Sequence, residues 1–225
     1  MKKFLALLMT FSMITLVVGQ QSTVQADEKC KTCESSTTLP SPSSSDLKQA
    51  VDILKKNGIK TSSLNTENST VVKDQEEKIV IISDNVDKDK KQMHFNQYYV
   101  NINNNKYLAL EHKIEKLDNN NFKVEIINLN VGAKYIVKLD KDGNKIDEKF
   151  VSPKNENSFQ TQNSSSLCRK IVNAVLGTGT KAACVIACTG VTGGWGAIAC
   201  SALCGLVTTG VSWAGAKNMC EQLFG

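Results

Sequence analysis

Eight cysteines are the residues of this chain whose type and spacing could do chemistry. Cys30 and Cys33 have the spacing of a redox dithiol. Such a pair works from a strand-to-helix junction that lowers the pKa of one thiol. Here the flanks, DEKCKTCESSTTLPSPSSS, are Ser/Thr/Pro-rich and of low complexity. A local disulfide, or one from this tail to the C-terminal segment, is therefore expected over redox catalysis. The other six cysteines, Cys168, Cys184, Cys188, Cys200, Cys204 and Cys220, all fall in residues 168–225. Cys184 and Cys188 are four apart, as are Cys200 and Cys204, so on helices each pair would share one face. His94 and His112 are the only histidines, and His112 sits on the apolar side of an alternating stretch, which suits a core position better than a ligand. No Ser/His/Asp or Cys/His constellation can be assembled, so the chain is not read as an enzyme and no cofactor or metal is expected. The Asp140 to Asn144 stretch places its glycine two positions too early for a calcium loop and reads as a hairpin turn.

Cysteines pair where the compartment is oxidising, and the N-terminus points to export. Lys2 and Lys3 precede an apolar run from Phe4 to Val18, and Val24-Gln25-Ala26 has the small-residue pattern of a signal-peptidase site. Residues 1–26 are expected to be a signal peptide cut between Ala26 and Asp27, with signal peptidase as a partner and a secreted, extracellular product. The run is too short for a comfortable membrane span. The net charge is +5, of which the cysteine-bearing segment carries +3, from Arg169, Lys170, Lys181 and Lys217 against Glu221. A cationic, apolar segment favours anionic membrane surfaces, whereas nucleic acid would demand a denser basic stripe with aromatics.

The elements that must position these residues follow from periodicity. Residues 27–45 form a Ser/Pro-rich linker carrying Cys30 and Cys33. From Ser45-Asp46, Leu47, Ala50, Val51 and Leu54 repeat at helical spacing, with Ser45 as N-cap and Gly58 at the C-terminal end. Residues 59–70 are polar and read as loop. Lys78 to Ile82 is a strand candidate, and period-two alternation follows at 98–102, 108–114, 122–126 and 135–139, with Asn/Asp/Gly turns between. A second polar linker, residues 152–167, precedes the cysteine-rich segment and offers a processing protease its cut. The predicted fold is α+β: a helix plus an antiparallel β-meander over 46–151, then a small disulfide-stapled all-α C-terminal module over 168–225.

Within that module, a first helix over 167–176 would carry Arg169 and Lys170 on its polar side, and a last helix would run from about Thr208 to Leu223. A nested scheme pairs Cys184 with Cys204, Cys188 with Cys200 and Cys168 with Cys220, one of fifteen pairings open to six cysteines. Small residues dominate the middle and permit close helix contacts. Disulfides would staple a unit this small, yet it cannot bury all its apolar side chains. Outward apolar surface on a cationic peptide suggests a target-cell membrane or a membrane receptor as partner; the alternative is a structural plug that packs onto the sheet domain. In that setting Arg169, Lys170, Lys181 and Lys217 would meet anionic lipid, and Trp195 and Trp213 would sit at the interface.

On CVIACTGVTGGWGAIACSALCG, residues 184–205, the last quarter of the chain resembles the precursors of halocin-like bacteriocins. The resemblance implies that the C-terminal segment is an antimicrobial peptide and that the front part serves as its immunity protein. The segment has fewer cysteines than the archaeal type member, so no disulfide map is carried over. The expected function is a secreted bacteriocin precursor whose C-terminal peptide permeabilises membranes of related bacteria. The alternative is a non-toxic secreted or cell-envelope interaction protein with a structural cysteine module. A third, weaker reading is a thiol–disulfide enzyme using Cys30 and Cys33.

Overall fold

The computed structural model describes residues 39–74, 77–84, 87–88, 91–141, 144–152, 166–171 and 220–221. Helix α1, Ser44–Lys56, starts where Ser43 is extended (φ −63°, ψ 157°) and its Oγ accepts from the Asp46 amide at 3.1 Å. The cap is thus Ser43 and not the expected Ser45, because only the residue outside the first turn has the extended backbone that aims a hydroxyl at the orphan amides. The helix stops at Asn57, and Gly58 takes the left-handed conformation (φ +81°) that lets the Ile59 amide return to the Leu54 carbonyl at 3.1 Å.

Strands β1 (Leu64–Asp74), β2 (Glu77–Asp84), β3 (Asp87–Lys88), β4 (Gln92–Asn101), β5 (Lys106–Lys116), β6 (Phe122–Asn128), β7 (Lys134–Leu139) and β8 (Lys145–Val151) make one antiparallel sheet. Its order is β1-β2-β4-β5-β6-β7-β8, with β3 pairing β4. Neighbours in sequence are neighbours in space, as short turns between alternating segments demand. Asn105 (φ 58°) and Asn120 (φ 60°) supply left-handed turn positions. β1 begins inside the stretch expected to be loop. Pairing with β2 overrides its polar composition, and an irregularity between Asn65 and Thr70 absorbs the mismatch. β8 was not expected either; it pairs β7 across a turn in which the Asp140 carboxylate takes the Asn144 amide at 2.8 Å.

Strand alternation sorts the apolar residues onto two faces. One face, with Val71, Val80, Ile82, Val100 and Ala109, receives Ala50, Ile53 and Leu54 of α1. Lys78 Nζ reaches both Asp46 carboxylate oxygens at 3.2 Å, and Gln49 donates to the Ile102 carbonyl at 2.7 Å, fixing the helix on this face. Ser43 and then Lys78 hold the Asp46 carboxyl below its ordinary pKa. The opposite face runs through Ile79 and Ile81 on β2, Met93 and Phe95 on β4, Leu108 and Ile114 on β5, Val124 on β6, and Val137 and Leu139 on β7.

The second face corrects the predicted fold class. The expected α+β arrangement set a separate, small all-α C-terminal module after the sheet. Instead Leu167, Cys168, Ile171 and Cys220 belong to the same hydrophobic cluster as the sheet's second face. Among the described residues the chain is mostly one antiparallel sheet with a single long helix at its N-terminal end, and only residues 166–171 and 220–221 are helical in the cysteine-bearing segment. The reason is burial: a sheet apolar on both faces must cover both, and α1 covers one. Among the described residues no helix is long and apolar enough to cross a membrane.

Candidate interface between the sheet and the cysteine-bearing segment

Residues 166–171 form a short helical stretch whose spacing decides which side chains reach the sheet. Leu167 and Ile171 are four apart and Cys168 and Ile171 three apart, so the three share a face. All are buried, at 4%, 5% and 4% exposure for Leu167, Ile171 and Cys168, while Arg169 and Lys170 face outward. Cys220 is fully buried and is joined to Cys168 by a disulfide with Cα atoms 5.6 Å apart. This is the outermost pair of the nested scheme. It closes a loop across a sequence separation of 52, and both of its ends are sunk in the sheet's own core.

Lys170, expected to meet lipid, is paired in this state. Its Nζ contacts Glu77 Oε1 at the start of β2, and the other carboxylate oxygen of Glu77 accepts from Asn101 Nδ2 at 2.7 Å. Asn101 is fully buried. Leu167 and Ile171, the disulfide to buried Cys220 and the Lys170–Glu77 pair thus hold the Cys168 end of the segment.

The second face also contains polar groups. His112 stacks on Phe95 with ring centroids 4.8 Å apart and an interplanar angle of 13°. It is 5% exposed, and neither ring nitrogen has a hydrogen-bond partner among the described residues. Burial pushes its pKa down to about 4, against a smaller opposing pull from Glu111. It is a core histidine, as its place on the apolar side of the strand suggested, but not a satisfied one. Tyr99 donates to Gln97 Oε1 at 2.7 Å, and Tyr135 donates to Glu148 at 2.8 Å while stacking on Phe150. Burial, then the Glu148 contact, raises the Tyr135 phenol. Among the described residues no group of three or more His, Cys, Asp or Glu is placed to hold a metal.

A family model described as "Gpos_C8-like: Putative immunity protein/bacteriocin" matches residues 17–214. The chain belongs to this family. The match takes in the whole sheet together with seven of the eight cysteines. The match supports a bacteriocin-related family over most of the chain. No curated protein and no solved structure matches it.

Of the expected site residues, Cys168, Cys220, Arg169 and Lys170 are placed. Ala26, Asp27, Cys30, Cys33, Lys181, Cys184, Cys188, Trp195, Cys200, Cys204, Trp213 and Lys217 lie outside the described residues, as does most of the polar linker. The residues that sequence reasoning missed are Leu167, Glu77 and Asn101, together with the contact of Ile171 with the sheet. One signal pointed to a second covering element, though not to Glu77 or Asn101. Ile79-Val80-Ile81-Ile82 is apolar at every position, the mark of a strand buried on both faces, and one amphipathic helix cannot cover two faces.

Proposed function

We propose that this chain is a secreted bacteriocin precursor of the halocin-like type, in which the cysteine-rich segment permeabilises membranes of related bacteria and the sheet keeps it harmless until cleavage. The observation that carries this reading is the shared core. Leu167, Cys168, Ile171 and Cys220, both ends of the segment, are buried among the apolar residues of the sheet's second face. A segment whose apolar ends are occupied, and whose Lys170 is paired, has less to offer a bilayer than the same segment set free. The signal-peptide pattern of residues 1–26 supports export, and the polar residues 152–167 supply the place to cut.

The disulfide is internal to the segment, so cutting the linker would leave no Cys168–Cys220 bond between the two parts. Separation would then require only that the apolar anchors leave the sheet. A sheet left behind in the producing cell's surroundings could rebind the segment, which is how one chain would furnish both toxin and immunity.

Intact mass spectrometry of the producing cell's culture supernatant tests the reading. The expected species is residues 168–225, or a close neighbour in the linker, lighter than the reduced chain by six hydrogens. A lone species running from Asp27 to Gly225 would instead favour an unprocessed secreted interaction protein.

A further inference from the structure

Apolar anchoring is strong but indiscriminate, since any amphipathic helix with a similar face could lie on this sheet. Discrimination comes from polar groups that are left unpaired when the wrong partner binds. One such group stands at the segment's edge. Glu77 and Lys170 are 93 residues apart in sequence, yet Lys170 Nζ contacts Glu77 Oε1. The Glu77 side chain is 24% exposed and that of Lys170 is 48% exposed. Asn101, fully buried, donates to Glu77 Oε2, and its own Oδ1 accepts the Asn103 amide at 3.1 Å. The carboxylate is thus oriented by the sheet itself and needs no help from the lysine it meets.

We propose that Glu77 is the residue by which the sheet recognises the cysteine-bearing segment, reading the cation that stands two positions after the first cysteine of the Cys168–Cys220 pair. The partner it fits is a disulfide-closed peptide with an apolar helical start and a lysine at that position. The inference rests on the sequestration reading above and adds the determinant of its specificity. A peptide with a neutral or acidic residue there leaves a half-desolvated carboxylate uncompensated, and its hold on the sheet is weaker. The same contact withdraws Lys170 from the charges that would meet anionic lipid.

The test is a double-mutant cycle on the full-length oxidised chain, using Glu77→Gln, Lys170→Met and both together. Gln keeps an oxygen for Asn101, and Met keeps the stem of the lysine. The readout is amide hydrogen exchange over residues 167–171, with residues 44–56 of α1 as the internal reference for global opening. Each single change is expected to speed exchange of the segment roughly three- to ten-fold, in line with a charge-assisted contact at a partly exposed site, and to leave α1 unchanged. The double variant is expected to exchange no faster than the worse single. Effects that multiply in the double variant, no effect of Glu77→Gln, or equal acceleration in α1 would each overturn the proposal. Killing assays on the same chains after linker cleavage separate the two ideas. A coupled cycle without killing by any cleaved chain would leave Glu77 recognition standing and remove the bacteriocin reading.

Discussion

Replacing His112 by Phe should change how stability depends on pH more than it changes stability at neutral pH. In the folded chain the ring is buried against Phe95 and its pKa is about 4, against an ordinary 6.5 in the unfolded chain. A folded pKa below the unfolded one means that the unfolded chain binds more protons between the two values. The stability associated with neutral His112 is therefore complete above pH 6.5 and is lost progressively as pH falls towards 4. Integrated between pH 7 and pH 4.5, this one group should remove about 2 kcal/mol of unfolding free energy. Asp46 and Glu148, whose carboxyls are held low by Ser43 and Lys78 and by Lys145 and Tyr135, also weaken the fold on acidification, but at lower pH and equally in both proteins. The His112→Phe variant keeps the stack on Phe95 and has no nitrogen to charge. Guanidinium unfolding of both proteins at half-unit intervals from pH 7 to 4.5, with disulfides intact, gives the difference directly. The two curves should diverge by about 2 kcal/mol as pH falls. Parallel curves would refute the claim that His112 is held neutral by burial without partners.

Three further outcomes follow from the geometry. Replacing Cys168 and Cys220 together by Ser should lower stability by about 4 kcal/mol from loop closure alone, given a sequence separation of 52; a loss below about 1 kcal/mol in denaturant unfolding would mean that this pair does not constrain the unfolded chain. Ile171→Ala should cost roughly 2–5 kcal/mol if the segment is part of the sheet's core, and a surface-like loss under about 0.5 kcal/mol in the same assay would detach it. Ser43→Ala should cost about 1 kcal/mol through the lost bond to the Asp46 amide, with the loss visible in thermal melts and confined in hydrogen exchange to the first turn of α1.

Several elements were legible in the sequence for plain reasons. Leu47, Ala50, Val51 and Leu54 mark α1 because they recur on one face over about two turns, and the alternations at 98–102, 108–114, 122–126 and 135–139 mark β4 to β7 because half-buried strands repeat every two residues. β1 and β8 were not legible. Both are edge strands dominated by polar residues, Asn, Thr and Ser in β1 and Lys, Asp and Glu in β8, and their pairing is imposed by β2 and β7 and not by their own propensity. The separate all-α module failed for a related reason. Composition changes sharply after residue 152, and such a change suggests a boundary, but it says nothing about which surfaces meet. Leu167, Cys168 and Ile171 share one face of a short helix, yet their partner is a sheet face assembled from β1, β2 and β4 to β7. The Glu77–Lys170 contact was invisible because nothing local links residues 93 positions apart.

The central claim is that the sheet holds and silences the cysteine-bearing segment, and one measurement tests it most directly. A specific protease site placed within residues 153–165 of the full-length chain allows the linker to be cut in the oxidised, folded protein, which is then run on gel filtration with killing of related bacteria assayed across the fractions. The account predicts that the cut protein elutes as one inactive complex at neutral pH, and that killing appears only in the segment once denaturant has separated it from the sheet. Immediate dissociation on cutting, or a separated segment that does not kill, would contradict it.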